Sequence, residues 1–280
     1  MNLRSAVLVV VLFGLGFWRP AAGDDPAKTN PDVFFSDDFE TGALTGWDND
    51  NRDFEDPDIR LTTDPAHVHS GTHALAITAP VGKEKGGGLP KWFMPGFDTV
   101  YARWYCQFAE DFDQGNLMHF VHLLAHRTDN KWSAFGKAGK RPDGTDFFTA
   151  GFEPWRNWGR NPAPGALGFY VYYPEMTASP DGMFWGNMFA PKEPVLVGRG
   201  KWTCMEIMVK LNDPDKSNGE FAAWVDGKEI GRWPDMLLRK SDVLKVNCFW
   251  LLLYLHDSQR VNRVWFDDVA VSHTYVGPMQ

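Results

Sequence analysis

Tyr170 and Tyr172 stand two apart in the run Leu167–Tyr173 (LGFYVYY), and residues two apart in a strand share a face. The same alternation aligns Tyr101, Arg103, Tyr105 and Gln107 in VYARWYCQFA, and Cys204, Glu206, Met208 and Lys210 in KWTCMEIMVKL. In VNCFWLLLYLH it aligns Cys248, Trp250, Leu252, Tyr254 and His256. Tyr and His can pass protons, Arg can neutralise an anion, and Gln, Glu and Lys can hydrogen-bond a polar ligand. Arg103, His119, Tyr254 and His256 are therefore candidate chemical groups, and Tyr105, Gln107, His122, Glu206 and Lys210 candidate ligand contacts. His119 and His122 lie three apart in LMHFVHLLA, which in one regular strand turns them to opposite faces. At least one of the two is then structural. Two plainer readings stay open: these faces are ordinary solvated surfaces, and Arg103 forms a structural ion pair with Glu206.

Other chemistries lack their residues. His67, His69 and His73 sit beside a turn without the fourth ligand of a zinc site, and Gly86-Gly87-Gly88 lacks the lysine and following helix of a phosphate loop. The chain carries 28 basic and 36 acidic residues, a formal net charge of −8, which argues against a nucleic-acid partner.

The elements that position these groups read as strands. In 280 residues, 13 Trp, 21 Phe, 7 Tyr, 27 Gly and 19 Pro favour strands and turns over a helical bundle, so the expected class is all-β. Short apolar runs bounded by Gly, Pro, Asn and Asp recur at 73–79, 100–109, 117–125, 167–173, 201–211, 221–225, 246–256 and 263–273, with no long amphipathic helix. Asp226-Gly227 between Trp224-Val225 and Lys228-Glu229-Ile230 predicts a tight hairpin. The stretches 128–164 and 174–200 read as long loops.

Residues 1–23 read as a secretory signal peptide: Arg4, the apolar run Ala6–Phe17 and a small-residue site at Ala21-Ala22-Gly23. That run is shorter than the roughly 20 residues needed to span a bilayer, so no membrane span is expected after cleavage. Residues 24–32 read as a polar linker and 33–280 as a single domain. Losing Arg4 and Arg19 with the leader leaves 26 basic and 36 acidic residues, a net of −10. Cys106, Cys204 and Cys248 allow at most one disulfide and read best as buried thiols. The expected location is secreted, periplasmic or cell-envelope, and the expected state a monomer.

Several stretches together resemble a known superfamily. They are Phe35-Ser36-Asp37-Asp38-Phe39-Glu40 with Gly46-Trp47, His69 to Leu75 (HSGTHAL), Trp224-Val225-Asp226-Gly227, and Trp265-Phe266-Asp267-Asp268-Val269 with Tyr275-Val276-Gly277-Pro278. Together they look like the concanavalin A-like jelly-roll superfamily, and within it are most similar to secreted polysaccharide lyases of the alginate and glucuronan type. The resemblance spans roughly residues 33 to 278 and implies a β-sandwich of two antiparallel sheets. It further implies β-elimination on a uronate-containing polysaccharide, for which a cation or amide neutralises the carboxylate, a base takes the α proton and an acid protonates the leaving oxygen. The Tyr-x-Tyr pair of those lyases is matched in spacing by Tyr170-Val171-Tyr172, which carries the acid/base role to Tyr170 and Tyr172. Arg103 is the candidate neutraliser. The family's basic residues upstream of its Tyr pair have no secure counterpart; Arg156 and Arg160 lie in the right stretch without a strand to place them.

The loop aromatics Trp155, Trp158 and Trp185 are candidate sugar-stacking residues. Asp38, Glu40 and Asp267 resemble the ligands of a structural calcium, and no cofactor is required for the chemistry. Jelly-roll hydrolases of the laminarinase type carry Glu-x-Asp-x-x-Glu on one strand, and that motif is absent. The expected partner is a polysaccharide, acidic rather than neutral. A non-catalytic glycan-binding protein using the same concave face, or a structural envelope protein, is the alternative.

Overall fold

The computed structural model describes residues 24–49 and 53–280; the leader read over 1–23 lies outside them. Among the described residues fifteen strands follow in chain order: β1 (Val33–Asp37), β2 (Ile59–Thr62), β3 (Ala74–Ala79), β4 (Gly82–Phe97), β5 (Thr99–Phe108), β6 (Met118–His119), β7 (Val121–Arg127), β8 (Phe147–Trp155), β9 (Ala166–Tyr172), β10 (Asn187–Phe189), β11 (Trp202–Lys210), β12 (Gly219–Val225), β13 (Lys228–Met236), β14 (Leu244–Ser258) and β15 (Asn262–Ser272). One sheet has the order β13-β12-β11-β5-β15-β3-β2, with β1 also on β15; the other has the order β10-β9-β8-β7-β14-β4, with β6 also on β14. Every pairing between these strands is antiparallel, as in a β-sandwich.

Alternation decides what lies between the sheets. Ala102, Trp104, Cys106 and Phe108 of β5 meet Phe249, Leu251 and Leu253 of β14 and Ala150 and Phe152 of β8 in one continuous apolar core. Phe169 spans it, its ring 5.0 Å from Phe152 on its own sheet and 5.0 Å from Phe221 on the other. The β12–β13 hairpin turns at Asp226 (φ 48°) and Gly227 (φ 78°), the paired positive values of the turn its Asp-Gly predicts.

Three expectations need correction. The loop read over 128–164 contains β8, and the one over 174–200 contains β10. The linker read over 24–32 is a packed segment: Asp25 caps a 3-10 turn at Pro26–Lys28 and is itself buried against Arg103. All three cysteines are buried and free. No helix among the described residues is long and apolar enough to cross a membrane.

Candidate functional site

The outer face of the seven-stranded sheet gathers five of the six candidate chemical residues. Trp250, His122, Gly151 and Tyr170 form one row across β14, β7, β8 and β9, and Tyr254 stands opposite His119 on β14 and β6. His119 is the hub: its Nδ1 lies 3.1 Å from Glu153 Oε2 and its Nε2 lies 3.3 Å from His256 Nε2. The Tyr170 and Tyr254 rings are 5.3 and 5.9 Å from its own. Tyr170 and Tyr172 hold their hydroxyls 3.4 Å apart, and the Gly139 N–H donates to the Tyr172 oxygen at 3.4 Å. A cavity of about 240 Å³ opens over this floor, closed on one side by Ala134–Ala138 with Phe135 and Lys137. Lys137 Nζ is 3.2 Å from Asp146.

His119 and His122 both line this cavity, contrary to the regular-strand expectation. The chain breaks its ladder at Phe120, and Phe120 and Val121 both turn into the core. Four steps of β14, Trp250 to Tyr254, span only three positions from His122 to His119, so the alternation slips by one. The two rings end 5.9 Å apart.

Burial sets the protonation of the cluster. Burial works to lower the His119 pKa, but the Glu153 carboxylate beside it prevails and holds it above the ordinary histidine value. Burial likewise raises Glu153 against the pull of His119. His122 is pushed down to about 3 by burial and by the neighbouring His119, which leaves a neutral imidazole whose buried Nδ1 has no partner. His256 is lowered by burial and His119, and Tyr170 is raised by burial and the Tyr172 hydroxyl.

The opposite end of the cleft is aromatic. Trp132 and Phe135 are 45% and 40% exposed beside Trp92, His126 and Trp250, and Lys131 Nζ lies 4.6 Å from the Trp132 ring centroid. Flat, accessible rings of this kind suit stacking on a sugar face.

The remaining candidates are placed elsewhere. Arg103, Tyr105, Gln107, Glu206 and Lys210 belong to β5 and β11, whose outward side chains lie on the far face of the eight-stranded sheet. Arg103 is fully buried and bidentate on Asp25 at 2.8 and 3.2 Å, so it is not the neutraliser at the cleft. Glu206 receives the N–H groups of Val276 and Gly277, both at 2.8 Å, rather than pairing directly with Arg103. Tyr105 accepts from Met279 N at 2.7 Å and Gln107 bonds His67, while Lys210 is exposed. Trp155 shares a β8 face with Glu153 and is half-buried, Trp158 is exposed in the following loop, and Trp185 donates to Asp181 at 2.8 Å.

Asp38, Glu40 and Asp267, the residues read as calcium ligands, each have partners within the protein. Glu40 accepts from Thr72 and His73, Asp267 from the backbone of His69, Ser70 and Asp268, and Asp38 pairs with Lys28 at 3.5 Å. Among the described residues only His119, His122 and Glu153 bring three metal-type ligand atoms within 4.8 Å of one another.

Glu153 and Lys137 escaped the sequence reading because both lie in the stretch read as loop. The signal for β8 was present: Phe148, Ala150 and Phe152 alternate inward in FFTAGFEPW, which leaves Gly151 and Glu153 on the cleft side.

No family model and no curated protein matches this sequence. Solved structures match its fold. A marine PL-14 alginate lyase from Aplysia kurodai aligns with a TM-score of 0.59 and 13% identity over 76% of this chain and 86% of its own. An endo-β-1,4-glucuronan lyase from the fungus Trichoderma reesei gives 0.59 and 18% over 86% and 96%. The alginate lyase vAL-1 from Chlorella virus gives 0.59 and 12% over 86% and 99%. With two antiparallel sheets around one core, the chain has the jelly-roll fold of these alginate and glucuronan lyases, and resembles polysaccharide lyases of this type.

Proposed function

We propose that the protein is an exported polysaccharide lyase that cleaves a uronate-containing polysaccharide by β-elimination on the outer face of its seven-stranded sheet. The observation that carries this is the convergence of His119, held by Glu153, with the Tyr170–Tyr172 hydroxyl pair in one cavity. In the reaction a base removes the proton α to the carboxylate, the C–H electron pair becomes the new double bond, the bond to the glycosidic oxygen breaks, and an acid protonates that oxygen.

This inventory supplies each part. His119, with Lys137 nearby, faces the substrate carboxylate in the role first assigned to Arg103. Tyr172, acting as its phenolate with the oxygen supported by the Gly139 N–H, takes the α proton and becomes the phenol. The neighbouring Tyr170 hydroxyl gives its proton to the leaving oxygen and is made good by the proton now on Tyr172. His122, neutral, lines the same cavity beside them. Trp132 and Phe135 stack on the flanking sugars.

The purified protein is incubated with alginate, glucuronan, pectate, glucuronoxylan and neutral glucans, and ultraviolet absorbance of unsaturated uronides is followed together with pull-down on insoluble polymer. Growth of absorbance on an acidic polymer is expected. Pull-down without absorbance overturns the lyase and leaves a glycan-binding protein that uses the same aromatic platform.

A further inference from the structure

We propose that His119, His122 and Glu153 form a binding site for a zinc-class divalent transition metal, with its fourth coordination position open to the cleft. Two imidazoles and one carboxylate are a zinc ligand set of the kind that keeps a position free for an outside ligand. The three ligand atoms lie within 4.8 Å of one another. Metal–ligand bonds of about 2.0–2.2 Å at tetrahedral angles place neighbouring donor atoms about 3.3 Å apart. The 3.1 Å between His119 Nδ1 and Glu153 Oε2 already has that spacing, and His122, within 4.8 Å of both, closes the set by an approach of at most about 1.5 Å.

Three further features favour a metal over a simple His–Glu hydrogen bond. His122 reaches toward Glu153 by lying over Gly151, where a Cβ would collide with its Nε2. Its buried Nδ1 has no partner within the protein, so nothing else commits its ring. His119 also has a hydrogen-bond partner for its second nitrogen, since Nε2 lies 3.3 Å from His256 Nε2, and an outer contact of this kind orients a ligating histidine. The site needs no cysteine, which agrees with all three being buried and free.

The open position faces the cavity above Tyr170 and Tyr172. A carboxylate of an acidic sugar is the ligand that completes the shell, and the metal then supplies the positive charge otherwise assigned to His119. Only this last clause rests on the lyase reading; the metal site stands on its own geometry.

The test strips the full protein with a chelator and titrates it with Zn²⁺ by calorimetry and with Co²⁺ by visible absorbance. One ion per chain is expected, with an intense tetrahedral Co²⁺ band that Zn²⁺ bleaches. His122→Ala and the near-isosteric Glu153→Gln each weaken binding at least tenfold while circular dichroism reports an unchanged fold, and His73→Ala, outside the cleft, leaves binding unchanged. Failure of the folded wild-type protein to take up either ion overturns the site. Uptake that both cleft variants leave intact overturns it as well. Uptake without any unsaturated product upholds the metal site and removes the lyase, whereas product from protein that takes up no metal does the reverse.

Discussion

The Tyr172 hydroxyl sits 3.4 Å from Tyr170 and accepts the Gly139 N–H, so removing one oxygen tests the proton path without disturbing the ring packing. Tyr172→Phe is expected to lower kcat by roughly 10²–10⁴-fold with polymer binding retained, the usual scale for losing a general acid or base. Equal loss of cleavage and pull-down removes Tyr172 from the mechanism. Gly151 belongs to the same scale. A methyl there would meet the His122 ring, so Gly151→Ala displaces a side chain that lies within the cluster. A misplacement of that size lowers kcat by about 10²-fold. Steady-state kinetics on whichever acidic polymer yields the unsaturated product, with the thermal midpoint as a control for folding, measures it.

Among the elements, β14 and β8 decide what the cleft contains. The slip of β14 against β6 and β7 turns both His119 and His122 outward, and β8 inserts Glu153 between the β7 and β9 rows. Both strands are held from below by aromatic packing across the core. Phe169, fully buried between Phe152, Phe221 and Trp233, ties the sheets together. Phe169→Ala is expected to destabilise the fold by about 3–5 kcal/mol, read as a lower urea midpoint at constant slope. A cost under about 1 kcal/mol is the result expected of a surface site and would show that the sheets do not depend on this ring.

At the scale of the whole molecule, the two ends of the described chain cover the outer face of the eight-stranded sheet. Asp25 is bidentate on Arg103, and Val276, Gly277 and Met279 hydrogen-bond Glu206 and Tyr105. Asp25→Asn leaves the Arg103 guanidinium buried without its counter-charge and is expected to cost about 3–5 kcal/mol. Glu206 adds a pH dependence. Its carboxyl is pushed up from 4.5 to about 7, chiefly by burial, so between those values the folded chain holds a proton that the unfolded chain releases. The stability this group contributes is full below the unfolded value and is lost as pH rises through about 7. Urea midpoints across that window should fall less steeply with pH in Glu206→Gln than in the parent. An unchanged slope would locate the titration elsewhere.

Local pattern was enough for the class, most strands and the Asp-Gly hairpin, because period-two alternation and positive-φ turn chemistry are written in neighbouring residues. It was enough for the Tyr170–Tyr172 pair, since two residues apart on one strand share a face whichever sheet that strand joins. The same reasoning put Arg103, Tyr105, Gln107 and Glu206 on a wet face, yet alternation carries no information on which sheet a strand enters or which face a terminal segment will cover. Arg103 therefore reads like Tyr170 in sequence and lies under the chain ends in the fold. His119 and His122 face one cavity because β14 carries one more step than its partners between them, a mismatch that exists only once the strands are paired. Glu153 becomes a site residue only when β8 lies between β7 and β9, so long-range pairing, rather than any local propensity, assembled the cluster.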